Sequence, residues 1–236
     1  AVGNEIKGEL VLAPVTGKRG YLIQNGVFVG EDVGGGATPD ATKRTAKLTI
    51  RPGTTLYGAS PLSFLLVNRG SKIDAQGTRE RPVVFTSAQP TPKPGDWGGL
   101  ILNGLAPTNK GTQVAGEAMT GFYGGPDAAD SSGTLQYVRV EFSVGKVDDE
   151  NELNGIAFQG VGSGTKVDYV QVHATDDDGL ELFGGTVNAK HLVVTAPGDD
   201  GLDWVSGYSG KIQYAVVQQW PRVSSSNPNG MECDNS

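Results

Sequence analysis

Val167-Asp168-Tyr169-Val170-Gln171-Val172 runs on into Asp177-Asp178-Gly179-Leu180-Glu181-Leu182. The same pattern returns 22 residues later as Ala189-Lys190-His191-Leu192-Val193-Val194 and Asp199-Asp200-Gly201-Leu202-Asp203-Trp204. A third copy, Ile212-Gln213-Tyr214-Ala215-Val216-Val217, reaches Asn229-Gly230-Met231-Glu232-Cys233 after a longer loop. Upstream, Leu135-Gln136-Tyr137-Val138-Arg139-Val140 and Asn154-Gly155-Ile156-Ala157-Phe158 make a fourth, with an acidic insertion at Lys146–Glu152. The repeat is roughly 22 to 32 residues long, in the range of solenoids. Each copy carries short segments that alternate at period two, the pattern of strands with one buried face. One such unit cannot bury its own face and must stack on its neighbours. The reading is all-β: a parallel β-helix, right-handed by the general chirality of parallel crossovers.

Composition agrees. Gly supplies 36 of the 236 residues and Pro 13, with no collagen period, so tight turns are many and long helices are excluded. At 37% hydrophobic and 19% charged, the chain has enough apolar content for a core and no run near the roughly 20 residues of a membrane-spanning helix. The formal charge of −7 argues against nucleic acid or an anionic membrane as partner and favours cations.

The first half repeats less regularly. Lys47-Leu48-Thr49-Ile50-Arg51, Phe64-Leu65-Leu66-Val67, Lys72-Ile73-Asp74-Ala75, Val83-Val84-Phe85-Thr86 and Leu100-Ile101-Leu102 read as short strands between turns. Residues 1–45, with the glycine-rich loop from Val33 to Asp40, read as an N-terminal cap; residues 46–236 read as the β-helix. Ala106–Gly133 reads as an excursion folded over one face of the coil.

Pro52-Gly53-Thr54-Thr55-Leu56, Arg69-Gly70-Ser71-Lys72-Ile73-Asp74-Ala75-Gln76-Gly77-Thr78 and Pro82-Val83-Val84-Phe85-Thr86-Ser87 resemble a family of bacterial exported β-helix proteins, often lipoproteins or cell-surface proteins. Gly95-Asp96-Trp97-Gly98-Gly99-Leu100, Ala106-Pro107-Thr108-Asn109 and the run Phe183–His191 extend the likeness over most of residues 46–236. The resemblance implies export and a right-handed β-helix, and transfers no catalytic residue. Ala1 is neither Met nor part of an apolar leader, which fits a mature chain or an excised fragment. The stop at Ser236, in mid-pattern, suggests that the natural protein continues.

Equivalent residues of successive coils lie about 4.8 Å apart. The register therefore stacks Asp178 on Asp200, and Glu181 on Asp203 and Glu232. By parity, Leu180, Leu182, Leu202, Trp204, Met231 and Cys233 point inward, while Glu181, Asp203 and Glu232 point outward. Two like charges at that pitch repel by about 3.5 kcal/mol at an effective dielectric of 20. A shared proton, a nearby Lys or a hard cation such as calcium would relieve this, and Asp176, Asp177, Asp178, Glu181, Asp199, Asp200 and Asp203 supply the oxygens. The competing reading is that the Asp-Asp-Gly triplets are turn formers. Asp148-Asp149-Glu150 is a weaker candidate of the same kind.

Tyr137, Tyr169, His191 and Tyr214 form an aromatic column, either ladder packing or a surface for a sugar. Trp220, in a loop, is a further carbohydrate-contact candidate, Trp97 is expected to pack a turn, and His173 and His191 are offset and make no metal pair. Cys233 allows no intrachain disulfide and reads as a small core residue. The Gly-His-Gly and Arg-x-Lys elements of polygalacturonase-type β-helix enzymes are absent, and no Arg stands near the acidic coils before Arg222. The expected function is a non-catalytic, exported surface module, calcium-binding and self-associating into filaments, with a glycan or cell-surface partner. The alternative is a polysaccharide-active enzyme or carbohydrate-binding module using the acidic column.

Overall fold

The computed structural model describes residues 3–144, 153–220 and 228–235. It is a parallel β-helix. One sheet of eight strands carries, in order, Glu5–Ile6, Val27–Val29, Leu65–Val67, Leu100–Asn103, Ile156–Gln159, Leu180–Phe183, Leu202–Val205 and Met231–Cys233. Every neighbouring pair in it is parallel. A second sheet stacks Gly8–Leu12, Ala46–Ile50, Lys72–Gln76, Gly133–Glu141, Lys166–His173, Asn188–Thr195 and Ile212–Gln218. Within residues 1–45, read above as a cap, the strands Glu5–Ile6, Gly8–Leu12, Tyr21–Ile23 and Val27–Val29 pair in parallel with the strands that follow.

The second sheet changes character along its length. In the early coils the wall is made by two strands, Lys72–Gln76 and Val83–Ser87, joined by a turn. Both pair with the single strand Gly133–Glu141, the first through residues 133–136 and the second through 138–140. The residue left between is Tyr137, whose φ of 50° turns the corner alone. Tyr169, His191 and Tyr214 repeat this left-handed conformation coil after coil, at φ 56°, 52° and 60°. A side chain in that region costs about 1–2 kcal/mol, so the column needs compensation. It comes from face-to-face ring stacking, worth roughly 0.5–1.5 kcal/mol per aromatic pair.

The interior follows the alternation. Leu48, Ile73, Phe85, Leu135, Val140, Phe158, Val172, Leu182 and Val194 are buried in one continuous core. Trp97 lies in that core rather than against a turn: it is fully buried, parallel to Phe85, with its indole N–H on the Glu141 carbonyl at 2.8 Å. Trp204 is half-buried against the core, as its parity implies.

The excursion does fold over a face of the coil. Val114–Ala115 and Phe122–Tyr123 form an antiparallel ribbon with a short 3₁₀ turn between. Tyr123 and Val114 join Leu66, Ile101, Ala157 and Phe183 in a second apolar cluster on the outside of the eight-stranded sheet. Arg69, also fully buried, ties the layers together. Its guanidinium grips both Asp32 carboxylate oxygens at 2.6 Å and donates to the Thr112 and Gly124 carbonyls and to Gln113 Oε1.

The alternation gives the right direction at one pair of positions and fails at another. Glu181 and Asp203 do point away from the core, but the excursion and its neighbours bury them. Met231 and Cys233, expected inside, are exposed, because among the described residues no strand stacks on the far side of Met231–Cys233.

Candidate functional site

The acidic site is built by register. Asn154, Asp178, Asp200 and Asn229 each precede a glycine that opens a strand of the eight-stranded sheet. The glycine N–H groups of residues 155, 179 and 201 donate to the carbonyls of Asp178, Asp200 and Asn229, one coil on. Glycine is required there because a Cβ on Gly179 would strike Val194 and the Gly201 carbonyl. The carboxylates extend the same ladder: Asp178 Oδ1 accepts the Asp200 N–H at 2.9 Å, and Asp200 Oδ1 accepts the Asn229 N–H. Asp178 and Asp200 thus cap the next coil, as the turn-forming reading expects.

Beside them runs the second acidic row, Glu181–Asp203–Glu232, in direct strand register. Carboxylate oxygens of Asp178, Glu181 and Asp203 lie within 4.8 Å of one another, and all three residues are buried. Asp177, Asp178 and Asp199 form a second group of the same size nearer the surface. Asp200 is buried within the capping ladder, and Asp176 lies outside both groups, against Gly95. The weaker candidate Asp148-Asp149-Glu150 lies outside the described residues.

Burial sets the protonation of this cluster. It pushes the Asp178 carboxyl up to about 9, with the Asp177 charge adding to the effect and the Asp200 N–H opposing it. Glu181 is raised well above the usual carboxylate range by burial first, then by Glu117, Asp178 and Asp203. Asp203 is raised by burial, partly offset by its hydrogen bond with Glu181. Glu232, out at the open end of the row, rises to about 7 through its hydrogen bond and charge contact with Asp200. Among the described residues, no salt bridge reaches Asp178, Glu181 or Asp203. Asp203 Oδ1 and Asn154 Oδ1 are buried without a hydrogen-bond partner.

Two members escaped the sequence reading. Glu117 comes from the excursion, outside the repeat, and no spacing could have announced it. Asn154 had a signal: its Asn-Gly precedes a strand just as Asp178-Gly179 does. Its Nδ2 donates to both Glu117 and Glu181 and so holds the excursion to the acidic row.

The aromatic column exists as read: Tyr137, Tyr169, His191 and Tyr214 stack with centroids 4.6, 4.3 and 5.0 Å apart and planes within 16°. His191 Nδ1 contacts Asp168 Oδ1 at 2.8 Å. Because the rings lie face to face, they present edges to solvent, and their faces are taken up by one another. Only the two end rings, Tyr137 and Tyr214, keep a face that no other ring of the column occupies, and a sugar that needs a ring face is limited to those ends. Trp220 is exposed and stands apart from the column's ring contacts.

A family model described as the pectate-lyase-like beta helix domain matches residues 38–236. The chain belongs to that family. Neither the curated proteins nor the solved structures yield a match. Membership in the pectate-lyase-like β-helix family accounts for the coil and its sheets; the chemistry of the site rests on the residues above. No helix among the described residues is long and apolar enough to cross a membrane.

Proposed function

We propose that this pectate-lyase-like β-helix is a non-catalytic module of the cell exterior, held together at its C-terminal coils by a hard divalent cation such as calcium. The observation that carries the reading is the buried trio Asp178, Glu181 and Asp203, whose oxygens converge within 4.8 Å. Ionised together they repel; protonated together they leave Asp203 Oδ1 without a partner. An ion that takes several carboxylate and amide oxygens removes both difficulties, and Asn154 Oδ1 is a further donor. Bound there, the cation would bridge adjacent coils through Glu181 and Asp203. A polysaccharide cut by paired carboxylates must reach both, and Glu181 and Asp203 are covered.

The test is a thermal melt with calcium titrated against a chelator. Calcium should raise the midpoint saturably in the native chain, and Asp178→Asn with Asp203→Asn should remove the rise. A midpoint indifferent to calcium leaves the aspartates as coil caps and ends the proposal. Self-association into filaments, expected above, is excluded by a monomer in light scattering at high concentration with and without calcium.

A second reading, polysaccharide cleavage, is favoured by one feature. Asp178, as buried as Glu181 and Asp203 and pushed up to about 9, is a carboxylic acid at neutral pH, and it adjoins the half-buried Asp177 and Asp199 on the side nearer the surface. New reducing ends or unsaturated products from acidic or neutral polysaccharides, lost in Asp178→Asn, would establish it over the structural role.

A further inference from the structure

On the other sheet, away from the acidic row, the outer wall holds a groove of 480 Å³ across three successive coils. Lys166, Asn188 and Lys211 occupy one column of it, and Asp168, Lys190 and Gln213 the next, two residues along. Lys166 and Lys211 are thus about 10 Å apart along the solenoid, with Lys190 between them in the adjoining column. All three lysines are exposed, and none forms a salt bridge with a described carboxylate. Lys166 Nζ donates to Gln136 Oε1 at 3.0 Å. The one carboxylate in the groove wall, Asp168, is buried and engaged with His191.

A chain of net charge −7 has acids enough to neutralise three lysines, yet here they share one groove without a partner carboxylate. We propose that this groove binds an anionic glycan laid along the solenoid axis. Three ammonium groups meet its acid groups as point charges, which accept carboxylate, sulfate or phosphate ester alike. The amide of Asn188, between Lys166 and Lys211, and that of Gln213, one coil beyond Lys190, suit the hydroxyls of the same chain. Beside the groove the aromatic column turns ring edges outward, and ring edges carry the positive end of the quadrupole.

An acidic peptide fits less well. The strands Lys166–His173 and Asn188–Thr195 are paired on both sides; a peptide adds as a strand only along Ile212–Gln218, the edge of this sheet among the described residues, where it lies beside Lys211 and two coils away from Lys166. The apolar residues of the groove, Val167 and Ala189, are buried and offer no anchoring pocket. Nucleic acid finds no free stack of ring faces here.

The test measures binding of the full chain to dextran sulfate, hyaluronan, uncharged dextran and polyglutamate, by calorimetry in chelator so that the acidic site plays no part. Dextran sulfate or hyaluronan should bind, more weakly as salt rises, and K166Q/K190Q/K211Q should weaken binding about tenfold or more. The three substitutions are on exposed side chains, and circular dichroism checks that the variant is folded. Asp178→Asn should bind as the native chain does, which separates this site from the cation site. Which polymer binds identifies the acid group. The proposal fails if neither anionic glycan binds at low salt, if the triple variant binds undiminished, if plain dextran binds equally, or if polyglutamate binds as tightly as the glycans.

Discussion

Replacing Arg69 should loosen the whole upper surface of the early coils. All five guanidinium N–H groups have acceptors: two on Asp32, one on Gln113 and the carbonyls of Thr112 and Gly124. Arg69→Met keeps much of the volume but leaves a carboxylate and two carbonyls unanswered. Breaking a buried ion pair by removing one partner costs about 3–5 kcal/mol. The Asp32 side chain is 26% exposed and recovers some water, which favours the lower end. Each of the two carbonyls adds about 1 kcal/mol, so the expected loss is about 5 kcal/mol. For a chain of this size that lowers the midpoint by roughly 10–20 °C. Arg69→Lys keeps the charge but not the fork, and should lose about half as much. Because a solenoid can open locally, the melt should be paired with hydrogen exchange. Amides near residues 30–36 and 112–124 should lose protection, while the C-terminal coils keep theirs. In a double-mutant cycle, Asp32→Asn added to Arg69→Met should cost far less than the sum of the two. A loss under about 1 kcal/mol, or additive effects, would refute the argument that one buried guanidinium joins the glycine-rich loop and the excursion to the coil.

Three further outcomes follow from the geometry. Asp178, Glu181, Asp203 and Glu232 all have folded-state pKa values raised above their unfolded ones. The folded chain therefore holds extra protons, and the stability they contribute is complete below about pH 4 and lost as pH rises through the folded values. In chelator the melting midpoint should fall between pH 5 and pH 9, and calcium should flatten the fall; a midpoint that rises over this range contradicts the buried cluster. Gly133→Ala places a methyl on the Ile73 carbonyl at a φ of 113°, and should cost about 2–4 kcal/mol in urea denaturation; a neutral effect would show that the wall is not packed as described. Cys233, exposed on its strand, should react with a thiol reagent in the native state as fast as in urea, and slow labelling would mean that something covers the strand Met231–Cys233.

The fold was legible because two periods coincide in the sequence. Alternation within Val167–Val172 fixed strand and face, and its return 22 residues later fixed the stacking partner, so Glu181 opposite Asp203 followed by arithmetic. What alternation could not tell is what lies on the far side of a face. Glu181 points outward and is still buried, because a segment outside the repeat folds over it. Glu117 was invisible for the same reason. Cys233 shows the opposite case: parity turned it inward, but among the described residues no strand stacks beyond Met231–Cys233 to close an interior around it. The aromatic column was legible as a column, whereas its left-handed backbone was not, since three of its four members are Tyr, a bulky residue rarely found at positive φ.

In the coils from Gly133 onward, where one residue takes the place of the turn between Lys72–Gln76 and Val83–Ser87, the stacked corner at Tyr137, Tyr169, His191 and Tyr214 also divides the coil into a part that can change length and a part that cannot. An added residue there would push one ring out of a pile whose members are held by those above and below. The opposite corner, between the second sheet and the next Asn/Asp-Gly, runs from Thr195 to Asp200 in one coil and from Gln218 to Asn229 in another. Diversification of this scaffold, natural or engineered, is therefore directed to one side. New loops can be grafted beside the acidic row, while the aromatic side keeps the count of residues between strands constant.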